Sequence, residues 1–79
     1  MELEIITPTS RETSKINWIE INTLSGNIIL QAGHVPSIFT LIPGKEVIFE
    51  HINGERESIL IQDGLVHITR TSATIIINQ

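Results

Sequence analysis

Residues 46–62 read "EVIFEHINGERESILIQ", and this stretch decides the fold class. Two runs that alternate apolar and polar residues flank the dipeptide Asn53–Gly54. Alternation with a period of two is typical of β-strands, and Asn-Gly is the preferred pair of a type I′ turn, in which both central residues need a positive φ. The stretch therefore predicts a β-hairpin closed by a two-residue loop, which places His51 opposite Arg56.

The next turn repeats this pattern. Asp63–Gly64 separates "ESILIQ" from "LVHITR", which predicts a second hairpin that shares a strand with the first. With a two-residue loop, Glu57 lies opposite Arg70, and we expect a rim ion pair that contributes little energy. His67 then lies opposite Leu60.

Short apolar runs fill the rest of the chain. Further strands are predicted at residues 3–7, 16–22, 27–30 and 73–77, with a polar, irregular segment at residues 9–15. Seventeen isoleucines against two alanines favour strands, because β-branched side chains suit a pleated, half-buried surface and alanine-poor sequence suits helices badly. The prediction is an all-β fold, a small antiparallel β-sandwich (flattened barrel) of about eight to ten short strands.

Composition excludes several function classes. Seventy-nine residues predict one domain over residues 1–79, and the absence of cysteine leaves no disulfide and no thiolate nucleophile. The net charge is −4, and the five basic residues are scattered, which argues against nucleic acid and against an anionic lipid patch. No apolar run reaches membrane-spanning length, and "MELEIITP" lacks the layout of a signal peptide.

The three histidines do not form a recognisable metal motif. His34, His51 and His67 lack the close spacing that metal sites favour, and the hairpin registers place His51 and His67 roughly 13 Å apart along the strands. There is no G-x-S-x-G nucleophile motif and no glycine-rich phosphate loop before a helix. We therefore predict no catalytic residues, no bound metal and no cofactor, with a small cupin-like metalloenzyme as a remote alternative.

Two apolar features need a partner or a core. In the alternating strand at residues 16–22, Ile16, Trp18 and Glu20 fall on one side, and Trp18 is interpreted first as a core residue and second as an interface anchor. Runs such as Ile75–Ile77 are apolar on both faces of a strand, so one of these faces is either covered by other residues or left as a binding patch.

The order of these features resembles one family. "LEIITP", "INWIEINTLSGNI", "GHVP", the later Pro43–Gly44 and a "DG" before the last strands are together similar to the N-terminal β-sandwich of the epsilon subunit of F-type ATP synthases. The resemblance covers essentially the whole chain and implies a non-catalytic rotor subunit of the central stalk. Such a subunit packs on the gamma subunit, rests on the ring of c subunits, and couples proton or sodium movement to ATP synthesis.

The resemblance also implies positions for the contacts. The c-ring would be met by Leu24, Ser25, Gly26, Asn27 and Ile28, and the gamma subunit by Thr7, His34 and Phe39. The isolated chain is expected to be a monomer. In the complex it would lie at the cytoplasmic face of the inner membrane, or at the corresponding face of a thylakoid or other organelle membrane, as a peripheral protein.

Departures from the family pattern leave an alternative open. Ile29, Ala32 and Asp63 stand where the family carries glycine, proline and glycine. They motivate a second reading, a stand-alone β-sandwich interaction module that has diverged from ATP synthase. The C-terminal helical hairpin of the family is absent here, so we expect neither inhibition by helix insertion nor nucleotide binding at that hairpin.

Overall fold

The computed structural model describes residues 1–78, so Gln79, the last residue of the expected domain, lies outside the described residues. The described residues form eight strands and no helix. In chain order these are β1 (Glu2–Ile6), β2 (Arg11–Thr23), β3 (Gly26–Leu30), β4 (Ser37–Thr40), β5 (Lys45–His51), β6 (Arg56–Ile61), β7 (Gly64–Ile68) and β8 (Ser72–Ile77). The predicted all-β class and the predicted strand number are confirmed.

The strands form one curled sheet whose two halves face each other as layers. The first layer has the order β4-β7-β8-β1-β2 and the second has the order β3-β2-β5-β6. Strand β2 belongs to both, because its first half pairs with β1 and its second half pairs with β3 and β5. The segment predicted to be irregular is therefore partly strand from Arg11 onward. Most of its polar side chains are exposed, so no apolar alternation marks it in the sequence.

Apolar side chains from both layers meet in one core. The largest buried member is Phe49 on β5, and it packs in a cluster with residues of both layers, such as Ile19 on β2 and Ile75 on β8. Along β8, Ala73, Ile75 and Ile77 point inward, whereas Ile76 is 40% exposed. Among the described residues, the outer face of this strand is thus partly exposed at Ile76.

The first hairpin is present, but its turn differs from the prediction. Strands β5 and β6 pair with Glu50 opposite Arg56, and His51 N–H donates to the carbonyl of Glu55 at 2.8 Å. The loop therefore has three residues, and only Gly54 has a positive φ, of 91°. This is the pattern of a type I turn followed by a left-handed glycine rather than type I′. The expected pairing of His51 with Arg56 is wrong, because Arg56 lies opposite Glu50, one residue earlier.

The prediction of a second hairpin around Asp63–Gly64 is wrong. Strand β7 does not pair with β6; it crosses to the first layer, where it lies between β4 and β8. The predicted ion pair of Glu57 with Arg70 is therefore absent, and Glu57 contacts His51 instead. A crossover at this point lets β7 bury Val66 and Ile68 against the opposite layer, which a flat three-stranded meander could not do.

One strand pair is parallel. β1 and β8, the first and last strands, run parallel with Glu2 opposite Ser72 and Ile6 opposite Ile76. All other pairs are antiparallel, so the sheet is mixed rather than purely antiparallel as predicted. Parallel strands need a long crossover connection, and here most of the domain provides it.

A register shift turns Trp18 away from the core. The pairing of β2 with β5 is irregular between Ile16 and Trp18, which is where β2 passes from one layer to the other. The irregularity lets Ile16 and Ile19 both point inward, each at most 1% exposed. Strict alternation would have placed Ile16 on the side of Trp18. The preferred reading of Trp18 as a core residue is thus wrong, because Trp18 is half-buried on the outer surface.

Candidate contact surfaces

The turn between β2 and β3 carries the residues expected to meet the c-ring. The side chain of Thr23 is buried; its hydroxyl donates to the carbonyl of Gly26 at 3.1 Å and accepts from the N–H of Ser25 at 3.1 Å. Gly26 has a φ of 114°, a conformation that residues with a side chain rarely adopt. These bonds fix the turn and leave Leu24 at its tip, 93% exposed.

Asn27 and Ile28, the other two residues expected to meet the c-ring, lie on β3 and differ in exposure. Asn27 is exposed, and its amide donates to Glu20 at 3.1 Å and to Asn22 at 3.3 Å. Ile28 is half-buried and packs against the core. Four of the five predicted residues, from Leu24 to Asn27, are therefore accessible to a partner, whereas Ile28 has mainly a structural position.

A shallow cleft joins this turn to β4. Its volume is about 220 Å³, and it is lined by Thr23, Leu24, Ser25, Ile38, Phe39 and Thr40. The family resemblance implied two different partners for Leu24 and Phe39, yet the fold brings both residues to one cleft. Ile38, which is 69% exposed at its rim, was missed because an isolated exposed isoleucine in a sequence looks like any other strand residue.

His34 lies in the connection between β3 and β4, beside Phe39. The ring centres are 6.3 Å apart at an interplanar angle of 59°, within the range of favourable ring contacts. The Nδ1 atom of His34 is 2.7 Å from the carbonyl oxygen of Val35, which fixes the orientation of the imidazole. Its backbone N–H donates to the carbonyl of Gln31 at 3.3 Å, so the corner is closed by local bonds.

Thr7 is not grouped with the other two residues expected to meet the gamma subunit. It begins the turn between β1 and β2, where its hydroxyl lies 2.6 Å from that of Ser10. Strands β1 and β4 are three strand spacings apart in the first layer, which is about 14 Å along the sheet. Thr7 and Phe39 would therefore contact different parts of a partner.

The outer face of the second layer carries a cluster that sequence reasoning missed. The amide of Asn17 donates to Glu50 Oε1 at 2.9 Å, and Arg56 Nε donates to Glu50 Oε2 at 3.3 Å. The guanidinium carbon of Arg56 lies 5.1 Å from the centre of the Trp18 ring, a cation–π geometry. The sequence did not predict this cluster for two reasons. An irregular step in β2 turns Trp18 outward, and a three-residue loop sets Arg56 opposite Glu50.

These contacts act on the charge of Glu50. The hydrogen bond from Asn17 is the largest cause that lowers the pKa of Glu50 below its ordinary value of 4.5, and Arg56 adds both a hydrogen bond and an opposite charge. Partial burial opposes this lowering of the pKa without cancelling it. The carboxylate form of Glu50 is therefore favoured, and it lies beside the Arg56 guanidinium that contacts the Trp18 ring.

The histidines are distributed over the fold. His51 Nε2 is 3.0 Å from Glu57 Oε1, and the His51 ring meets Phe49 edge-on. His67 lies on β7 in the other layer. Within residues 1–78, no three His, Asp or Glu side chains are placed to hold a metal ion together. The same residues contain no helix long and apolar enough to cross a membrane.

Comparison with known proteins places this architecture in a family. The family model of the β-sandwich domain of the ATP synthase delta/epsilon chain matches residues 1–79. A search of curated protein sequences found no match.

Solved structures share the fold at low sequence identity. A chain of the mitochondrial ATP synthase of Euglena gracilis, solved with OSCP, F1 and the c-ring, matches with a TM-score of 0.82 and 22% identity over 95% of this chain. A chain of the mitochondrial ATP synthase of Tetrahymena thermophila, from its central stalk and c-ring, matches with a TM-score of 0.81 and 16% identity over 100% of this chain. This chain spans 48% and 63% of those two chains. The resemblance read from the sequence is thus confirmed: the chain belongs to the family of the ATP synthase delta/epsilon chain β-sandwich domain.

Proposed function

We propose that the chain is a non-catalytic rotor subunit in the central stalk of an F-type ATP synthase. It binds the gamma subunit and the c-ring and couples proton or sodium movement to ATP synthesis. The observation that carries the proposal is the family match over residues 1–79, on a fold that resembles chains of two mitochondrial ATP synthases. In this role the protein is peripheral to the membrane, at its cytoplasmic face or the equivalent face in an organelle.

The turn between β2 and β3 is suited to contact with the c-ring. A subunit that transmits torque needs a contact that does not yield under load. The hydroxyl of Thr23 bonds to both sides of the turn, and Gly26 provides the backbone conformation that the turn requires. Leu24 and Ser25 are therefore presented on a fixed support, with Leu24 as the apolar anchor.

The corner at His34 is suited to contact with the gamma subunit. His34 has its ring oriented by Val35 and placed beside Phe39, so little side-chain freedom is lost when a partner covers it. Preorganised contacts of this kind contribute more to affinity than mobile ones do. Thr7, at a separate turn, would provide a second and smaller contact with the same partner.

The experiment is a reconstitution of the chain with the cognate gamma subunit and c-ring. We expect the wild-type chain to co-purify with both. Leu24→Asp is expected to weaken the association with the c-ring at least about tenfold, since hot-spot residues of an interface lose about 2 kcal/mol or more when truncated. The control is Ile52→Asp, the same kind of change at an exposed residue (64%) in the β5–β6 turn. Failure of the wild-type chain to associate with either partner would overturn the proposal.

A further inference from the structure

The outer face of the second layer has a charge and shape that the proposed contacts use only at one edge, where Asn27 donates to Glu20. We call it the acidic face and define it by Trp18, Glu20, Ile29, Glu46, Ile48 and Leu60. Ile29 is 55% exposed and Leu60 is 52% exposed, although both lie in regular strands. This face is separate from the tip of the β2–β3 turn and from the corner at His34.

A carboxylate lies in the middle of the face. Glu20 on β2 is directly opposite Ile29 on β3 and directly opposite Ile48 on β5. Side chains in such positions are about 5 Å apart at their β-carbons. The carboxylate of Glu20 is thus flanked on both sides by isoleucine side chains, and it accepts a hydrogen bond from the amide of Asn27 at 3.1 Å.

Salt bridges among residues 1–78 do not balance the charge of this face. Glu50 is paired with Arg56 at 3.3 Å, but in residues 1–78 neither Glu20 nor Glu46 forms a salt bridge. The outer face of the first layer differs. It also exposes apolar residues such as Ile38 and Ile76, but there Glu4 is paired with Arg11 at 3.4 Å. The acidic face thus indicates the charge of its partner, whereas the other face does not.

The chemistry of Glu20 restricts what can cover it. A purely apolar partner would remove water from the carboxylate without replacing its hydrogen bonds, which is unfavourable. A lysine or arginine would replace them, and apolar residues beside that cation would cover Ile29 and Ile48. Four strands at the usual spacing make a face about 14 Å across, which accommodates a single helix about 10–12 Å in diameter or one extended segment.

We infer that the acidic face binds a protein segment that presents a lysine or arginine between apolar side chains. Recognition combines one ion pair at Glu20 with apolar contacts on both sides of it. The partner is defined by this chemistry and does not depend on the gamma subunit or the c-ring, so the inference goes beyond the proposed function.

Trp18 provides a direct measurement of binding, because it is the only tryptophan of the chain and lies on this face. The probe is a synthetic peptide with one lysine flanked by leucines, and the matched peptide has glutamate in place of the lysine. We expect the lysine peptide to change Trp18 emission in a saturable manner that added salt weakens. The glutamate peptide should bind at least about tenfold more weakly.

Variants of the chain locate the contact. Glu20→Lys should raise the apparent Kd of the lysine peptide at least about tenfold, and the nearly isosteric Glu20→Gln should raise it in the same direction by less. Glu12→Lys is the control, because Glu12 is exposed on the same strand in the other layer and the substitution changes net charge equally. Urea unfolding of each variant establishes that it is folded.

Three results would overturn the inference: no saturable signal with the lysine peptide, equal affinity for the two peptides, or equal affinity of the wild type and Glu20→Lys. None of these depends on reconstitution with the gamma subunit and c-ring. A chain that assembles in the stalk and ignores the peptides would retain the proposed function and lose this inference.

Discussion

Gly64 lies so close to the carbonyl oxygen of Ile76 that a side chain at position 64 would force the backbone there to shift. A β-carbon on Gly64 would lie 2.9 Å from the carbonyl oxygen of Ile76 and 3.2 Å from the side chain of Ile61. The sequence suggested that Gly64 serves a hairpin turn, but its φ is not in the left-handed region. Glycine is needed here because two backbones pack together where β7 enters the first layer.

We therefore expect Gly64→Ala to lower the free energy of unfolding by about 1–3 kcal/mol, the usual cost of inserting a methylene-sized group into a packed site. The nearest atom is a backbone oxygen, which cannot move aside as a side chain could. Urea unfolding at neutral pH provides the measurement: the midpoint should fall while the denaturant slope stays constant. An unchanged midpoint would contradict the tight approach.

Asparagine substitutions distinguish the steric clash at Gly64 from the backbone strain expected at Gly54. Gly54 has a φ of 91° with open space around it, and asparagine tolerates the left-handed region better than other residues do. Gly54→Asn should therefore cost less than Gly54→Ala. At Gly64 the order should reverse, because the larger asparagine side chain meets the same carbonyl.

The Asn17–Glu50–Arg56 contacts predict a pH dependence. The pKa of Glu50 is lower in the folded chain than its ordinary value of 4.5, chiefly through the hydrogen bond from Asn17. Ionised Glu50 therefore stabilises the fold above that value, and this contribution is lost as pH falls through the lower, folded-state pKa. Glu50→Gln should be less stable than wild type at neutral pH, and the difference should shrink towards pH 3.

The measurement is urea unfolding of both proteins at several pH values between neutral and 3. Glu12→Gln, an exposed carboxylate on β2, controls for the change in net charge. Curves for wild type and Glu50→Gln that remain parallel over the whole range would show that ionisation of Glu50 is not linked to folding.

His34→Ala should act on assembly rather than on folding. His34 contacts its neighbours Val35 and Phe39 near the surface, so the free energy of unfolding should change by less than about 0.5 kcal/mol. The association with the gamma subunit should weaken by more than about 1 kcal/mol. His67→Ala, at an exposed histidine of β7, is the matched control and should leave the affinity for the gamma subunit unchanged. A large loss of stability in His34→Ala would make His34 a structural corner residue.

Phe49→Ala should be the most damaging change in the core. Phe49 is 1% exposed and is the largest of the fully buried side chains. Its truncation should cost about 3–5 kcal/mol, a large part of the about 5–15 kcal/mol that stabilises a typical domain. Phe39→Ala, at a half-buried residue on the same core, should cost less. The two variants are compared by urea unfolding at one temperature.

In the β5–β6 hairpin, local sequence patterns predicted one feature and not another. Alternation and Asn53–Gly54 located the hairpin, but not the length of its loop. A two-residue type I′ loop and a three-residue loop with a left-handed glycine use the same dipeptide. The choice between them set Glu50 opposite Arg56, and with it the cluster over Trp18 that the sequence did not predict.

The sequence by itself determined the all-β class, the position of most turns and the membership of the family, because these depend on apolar alternation, turn residues and an ordered set of short motifs. The tertiary structure decided which strands pair. β7 joins β4 and β8 rather than β6, and β1 runs parallel to β8, and these pairings bury Val66, Ile75 and their neighbours against the opposite layer. Such contacts join residues far apart in the chain, and no local pattern records them.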